Sequence, residues 1–251
     1  MIVWALFDSG NGSYTKVANE HFKDDMDIYP IGIDIENKND HFIKLNLADY
    51  SYLFGDNKLY DTLDGLPKPD LIIASPPCES WSVASAMRGG NACWKQERGD
   101  SLFEPQVPLS RFTIRGKKDY KGYQFKYDRS FLNRVNGELT IYNTIRIIER
   151  YEPGIYIIEN PAHGRIWDYI ENIIQFKIPH DNLTYYNNYD YPIKKPTKFA
   201  SNIDLGLKRE NIPNEIEWNQ TSGYNERSNI PPKLVKEIFN RVLEKTKETI
   251  K

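Results

Sequence analysis

Residues 70–78 read Asp-Leu-Ile-Ile-Ala-Ser-Pro-Pro-Cys. The run Leu71–Ala74 is apolar without alternation, which marks a strand buried on both faces, as in a parallel sheet covered by helices. Two prolines then fix an extended, stiff backbone and present Cys78 at a defined place beyond the strand end. Upstream, residues 2–7 (IVWALF) form a second apolar strand, followed by the glycine-containing turn Asp8-Ser9-Gly10-Asn11-Gly12-Ser13. Tyr14, Val17, Ala18, His21 and Phe22 then recur at helical spacing. Residues 29–35 (YPIGIDI) predict a further strand, reaching Asp34.

Downstream, Leu139, Tyr142, Ile145 and Ile148 mark a helix, and residues 154–158 (GIYII) a strand running into Glu159-Asn160-Pro161. A weaker helix covers Ile166–Ile174, and 183–202 is β-like, rich in Thr and Tyr. A last helix opens at Pro231-Pro232, with Leu234, Val235, Ile238, Phe239, Val242 and Leu243 on one face. Alternation of this kind predicts an α/β fold with a parallel sheet and helices on both faces. Ligands of such sheets sit beyond the carboxyl ends of the strands. The polar clusters at 8–13, 34–36, 76–82 and 159–161 all fall there.

The chain has 251 residues, with 33 Lys+Arg against 35 Asp+Glu and a formal charge of −2. That balance excludes a globally basic nucleic-acid coat. Its distribution is uneven. Residues 1–85 carry −8, residues 86–136 carry +6, and the remainder is neutral. The middle piece interleaves Arg88, Lys95, Arg98, Arg115, Lys117 and Lys118 with aromatic residues, a pattern that suits a polyanion with stackable bases. Ordinary surface charge on a solvated loop accounts for the same pattern equally well. Two cysteines exclude a disulfide framework and a four-thiolate zinc site, and point to a reducing compartment. No apolar run approaches the ~20 residues of a membrane span, and no basic-then-apolar leader opens the chain. A soluble intracellular protein is the expectation, as one domain over 1–251 with a basic insert at 86–136.

The chemistry of the clusters differs in specificity. Gly10 and Gly12 would let a ligand approach the backbone at a helix start, although a lone Gly-x-Gly also makes a plain strand–helix turn. Asp34 sits where an acid binds ribose hydroxyls; Glu36 and Asp49 are neighbouring acids, each by itself an ordinary strand-end carboxylate. Cys78 is sharper, because a nucleophilic thiolate needs a fixed position. A lone cysteine is more often a packing residue, but packing needs no Pro-Pro lead-in. Cys93 has no such frame. At the edge of a closed pocket, Glu159 would have its pKa raised by desolvation.

The ordered segments FDSGNGS, IGIDIE, SPPCESWS and IIENPAHG resemble the DNA cytosine-5 methyltransferases, in particular small members from phage genomes. The late segments YPIKKPTKFASN (191–202) and YNERSNIPPKLVKEIF (224–239) resemble them too. The resemblance implies a Rossmann-like sheet, S-adenosylmethionine as methyl donor, double-stranded DNA as partner, no metal and a bacterial cytoplasmic setting. It implies that Phe7, Asp8, Ser9, Gly10, Gly12, Asp34, Ile35, Asp49 and Pro76 border the cofactor. Cys78 would add to carbon 6 of a flipped cytosine, with Glu159 on its ring nitrogen and Pro77 and Asn160 shaping the pocket. Ser82, Arg88, Lys95, Arg98, Arg115, Lys117 and Lys118 would contact DNA. The family's arginine-rich Gln-x-Arg-x-Arg segment is missing, with Arg165, Lys194 and Lys195 as substitutes. The family's large recognition domain is also missing; residues 183–231 are a reduced counterpart, and the basic insert would carry recognition. A non-catalytic DNA- or protein-binding relative and an enzyme acting on RNA or nucleotides are the alternative readings. Pro161 replaces the family's usual valine.

Overall fold

A computed structural model describes residues 1–8, 12–33, 41–82, 93–96, 112–119, 126–216 and 229–249. The central sheet is built from β1 (Ile2–Leu6), β2 (Asp27–Gly32), β3 (Ile43–Lys44), β4 (Leu71–Ala74), β7 (Ile155–Pro161), β8 (Leu183–Tyr185) and β9 (Pro196–Ser201). Its order is β3-β2-β1-β4-β7-β9-β8. The pairs from β3 through β7 are parallel, while β9 is antiparallel to both of its neighbours. Two short strands, β5 (Trp94–Gln96) and β6 (Phe112–Ile114), form a separate antiparallel pair.

Period-two alternation divides each long strand between two cores. Val3 and Ala5, Leu71 and Ile73, and Ile155 and Ile157 point to one face. There they meet α1 (Ser13–His21) and α5 (Pro232–Thr249) through Val17, Ala18, Val235, Ile238 and Phe239. Trp4 and Leu6, Ile72 and Ala74, and Ile158 point to the other. They are covered by α2 (Lys58–Asp64), α3 (Tyr127–Tyr151) and α4 (Ile166–Tyr169). The α/β architecture with helices on both faces is therefore the one expected. The apolar runs of β1 and β4 are continuous because each face buries its own set of side chains.

The structure corrects several boundaries. β2 stops at Gly32 rather than continuing to Asp34. β1 ends at Leu6, paired with Ile31, and the next residue, Phe7, turns the chain at φ +64°. Residues 127–136, expected within an aperiodic insert, are the first turns of α3. Tyr127, Phe131 and Leu132 are exposed there, so the segment shows no one-sided apolar stripe. The weak helix after 166 continues as a π-helical turn over Ile170–Ile174. The β-like 183–202 stretch supplies β8 and β9 of the main sheet.

Gly137 of α3 is where the helix meets the loop after β4. A Cβ there would lie 2.0 Å from Ser80 Oγ and 3.1 Å from Trp81 Nε1. Trp81 is buried against Trp94, with ring planes 6° apart and centroids at 6.1 Å. Gly137→Ala is expected to lower stability by about 1–3 kcal/mol through overpacking. In an open helix the same change would raise it by about 1 kcal/mol. Denaturant unfolding measures the sign.

Candidate active site

In this sheet order the connections from β1 diverge, with β2 on one side and β4 on the other. The crevice beyond the carboxyl ends of β1 and β4 is a topological switch point, where such folds bind ligands. Two cavities meet there, and Phe7, Asp8 and Pro77 line both.

The turn after β1 is held tightly. Phe7 adopts a left-handed conformation uncommon for a non-glycine residue, fixed by its amide donating to Ile31 O at 2.8 Å. Asp8 is buried, and its Oδ2 accepts from the Thr15 amide at 3.0 Å and the Thr15 hydroxyl at 2.7 Å. It thereby caps α1, whose own N-cap, Gly12, offers no side chain. Gly12 is required by this contact, since a Cβ there would sit 1.8 Å from Asp8 Oδ1.

The first cavity, of about 240 Å³, holds Ser75, Pro76, Cys78, Glu159, Asn160 and Lys195. Cys78 reaches it from the loop after β4, and its carbonyl accepts from the Trp81 and Ser82 amides at 3.0 and 2.9 Å. Asn160 is fully buried, and its Nδ2 donates to Pro76 O at 2.8 Å, tying the Pro-Pro segment to β7. Glu159, one residue earlier on β7, is buried, and burial pushes its carboxyl pKa up. Lys195 and the Ser75 hydroxyl oppose that shift. The Cys78 thiol is pushed up to about 11 by burial and by the carboxylates of Glu79 and Glu159, with Lys195 acting the other way. The protein therefore holds a thiol at neutral pH.

The second cavity, of about 360 Å³, is lined by Gly32, Ile33, Leu45, Asn46, Leu47 and Ala48 on one side and by Asn136 and Thr140 of α3 on the other. It offers apolar walls for a flat ring and a few amide and hydroxyl groups to orient it. Asp49 does not line it. Its Oδ1 accepts from the Ser51 amide and hydroxyl at 3.1 and 2.7 Å, and its carbonyl accepts from Asn143 Nδ2 at 2.8 Å.

The expected site residues thus separate. Phe7, Asp8, Gly12, Pro76, Pro77, Cys78, Glu159, Asn160 and Lys195 come together around the first cavity. Arg165 does not join them: its amide donates to Trp81 O at 3.0 Å from behind the loop, and burial lowers its half-buried guanidinium's pKa. Lys194 turns to Asn211 Oδ1 at 2.6 Å and lies over the Tyr185 ring. Ser82 is buried in the turn after Cys78. Lys117 and Lys118 are exposed in a short turn after β6, and the Arg115 amide bonds Cys93 O at 2.8 Å. Cys93 is a packing residue, buried with its Sγ donating to Ser130 O at 3.1 Å. Ser9, Gly10, Asp34, Ile35, Arg88 and Arg98 lie outside the described residues, as does the side chain of Lys95. Sequence reading missed Tyr14 and Ser75, which line the first cavity, and the Asn46–Ala48 and Asn136–Thr140 walls of the second.

Among the described residues no group of three or more His, Cys, Asp or Glu is arranged to hold a metal ion, and no helix is long and apolar enough to cross a membrane. No protein-family model and no curated protein matches the chain. Among solved structures, the chain is similar to a protein described as a candidate DNA modification methyltransferase encoded within a prophage (E. coli). The identity is 14% and the TM-score 0.42, over 86% of this chain and 52% of that one. The chain spans about half the length of that structure.

Proposed function

We propose that the chain is an S-adenosylmethionine-dependent DNA methyltransferase that acts on carbon 5 of cytosine. The observation that carries this reading is the meeting of Cys78 and Glu159 in one cavity at the sheet's switch point, next to a second cavity across Phe7 and Pro77. A thiol and a buried carboxyl on one small pocket suit a planar heterocycle that must be attacked at one ring position and hydrogen-bonded at another.

The second cavity fits a nucleoside-like group. Leu45, Leu47, Ala48 and Ile33 would flank the ring, and Asn46, Asn136 and Thr140 would orient it. The chain around Asp8 and the bare Gly12 would face the charged end. When bound, the cofactor supplies an electrophilic methyl group on a sulfonium. Cys78 Sγ, as the thiolate, would bond carbon 6 of a flipped cytosine, while Glu159, whose neutral form burial favours, would donate to the ring nitrogen at position 3. The electron pair of the 5,6 double bond would then be available at carbon 5 for the methyl group that the cofactor would supply. Loss of the carbon-5 proton, departure of the thiolate and return of the ring-nitrogen proton to Glu159 would restore the ring. Lys195 is the basic side chain that lines this pocket among the described residues. It would take the part of the missing arginine segment, and its charge favours the Cys78 thiolate. Arg115, Lys117, Lys118 and Lys194 would meet the phosphate backbone, in the cytoplasm of a bacterial host and in a phage or restriction-modification setting.

Incubation with methyl-labelled cofactor and duplex DNA, followed by nucleoside mass spectrometry, tests the reading. Label in 5-methylcytosine is expected. Label in RNA alone would move the substrate to RNA. Absence of both label and cofactor binding would favour the non-catalytic relative.

A further inference from the structure

Asn136, Thr140 and Asn143 recur along one face of α3. The first two line the second cavity, and Asn143 does not. Asn143 is fully buried and reaches the opposite wall instead. Its Nδ2 donates to Leu47 O and to Asp49 O, both at 2.8 Å. Carbonyls can only accept, so the amide's orientation is fixed and each of its protons serves one carbonyl. Its Oδ1 accepts from the Tyr52 hydroxyl at 3.4 Å. The wall itself is a closed turn. The Ala48 amide donates to Asn46 Oδ1 at 3.0 Å, and the Asp49 amide to Asn46 O at 3.1 Å. Only the two-residue strand Ile43–Lys44 and the Leu45 amide, on Gly32 O at 2.7 Å, join this turn to β2. Leu45 and Leu47 also pack in the core that α3 covers. Apolar contact is non-directional, whereas two hydrogen bonds from one side chain fix a register.

We infer that Asn143 is a positioning residue for the second cavity. It ties the Leu45–Ala48 wall to α3 and so sets the width of the slot that faces Asn136 and Thr140. A flat ring gains from two walls only at contact distance; a gap wider by about 0.5–1 Å forfeits roughly a quarter to a half of the attraction. Asn143 would therefore govern affinity for the ring without touching it. That the ring belongs to S-adenosylmethionine rests on the methyltransferase reading; the tie between the walls does not.

The test titrates S-adenosylhomocysteine into the full chain by calorimetry and follows hydrogen exchange over residues 45–52. Asn143→Ser removes both donors and adds no volume. Its affinity is expected to fall about tenfold, the scale of one or two lost hydrogen bonds. Asn143→Asp keeps the shape but sets a carboxyl against two carbonyls, so its affinity should fall at least as far. Exchange over 45–52 should quicken in both variants relative to the parent. The rate of Cys78 alkylation should not change, because the first cavity keeps its own ties. In methyl transfer, KM for the cofactor should rise and kcat at saturating cofactor should hold. Parent-like affinity in Asn143→Asp would mean that shape alone matters and overturns the inference. So does unchanged exchange over 45–52 in folded Asn143→Ser, or an equal disturbance of Cys78. If Asn143→Asp does not fold, Asn143→Ser decides by affinity and exchange together. A parent that binds no S-adenosylhomocysteine would sink the methyltransferase reading, and exchange over 45–52 would still decide the tie.

Discussion

Replacing Cys78 with alanine is expected to reduce methyl transfer to DNA by about 10⁴-fold or more, the scale on which removing a covalent nucleophile acts. The same variant should form no covalent adduct with a duplex carrying 5-fluorocytosine, while the parent forms one that survives denaturing electrophoresis. Carbon 5 of cytosine is a poor nucleophile until an addition at carbon 6 activates it, so no other group in the cavity can substitute. The fold should not change, because the loop is held by Cys78's backbone carbonyl, Asn160 and Pro76 rather than by its sulfur. Calorimetry should show cofactor binding retained. An alanine variant as active as the parent would remove Cys78 from the mechanism. Alkylation followed by peptide mass mapping gives an independent check: Cys78 should react with a midpoint near pH 11 in the free protein, where burial and two carboxylates hold its proton.

Glu159→Gln should lower kcat by roughly 10²- to 10³-fold, the usual loss when a positioned acid is removed. The amide still hydrogen-bonds a ring nitrogen but cannot supply a proton as charge develops. Three further consequences separate this from general damage. First, Glu159 contributes to the raised Cys78 thiol, so the alkylation midpoint of Cys78 should fall in the variant. Second, the parent's activity should decline as pH rises through the elevated Glu159 pKa. Third, the substitution should raise stability at neutral pH even as it lowers activity. Glu159 has a folded-state pKa above its unfolded one. The native state then binds the extra proton, and stability falls as pH rises from the ordinary carboxylate range toward the folded value. Glutamine carries no such cost. Thermal midpoints should therefore favour the variant at neutral pH, with the gap closing in acid.

Residues buried on both sides were the most legible part of the sequence. β1, β4 and β7 read as unbroken apolar runs because helices cover both faces. The strand-end clusters were legible for a related reason: proline and glutamate directly after such runs have no packing role to explain them. The illegible parts failed for local reasons. The first turns of α3 expose Tyr127, Phe131 and Leu132 beside charged residues, so their periodicity carries no inside or outside. Asp49 looked like a ligand-binding acid, but its carboxylate closes a turn on Ser51. Tyr14 sits in a helix pattern where an aromatic is ordinarily core, and only the fold brings its hydroxyl to Ser75. Lys195, read only as one of three substitutes for the missing arginine segment, is the one of the three that lines the Cys78 pocket, and it lies over the Tyr186 ring, 4.6 Å from its centroid.

The reversed strand β9 has a consequence for how the chain is made. It lies between β7 and β8, although it follows both in sequence. On the ribosome, a chain that has emerged only through Pro161 presents β7 as an unpaired outer strand with the run Ile155–Ile158 along it. Such an edge is a template for pairing with other chains. It stays open until Pro196–Ser201 emerges, and only then can β8 dock at the outside. At about 5–20 residues per second the interval from Pro161 to Ser201 lasts some seconds, long compared with hairpin formation. Synthesis at high concentration should therefore put soluble yield under the control of that interval. Slower translation across 162–195 should lower the yield, and a chaperone that shields strand edges should restore it.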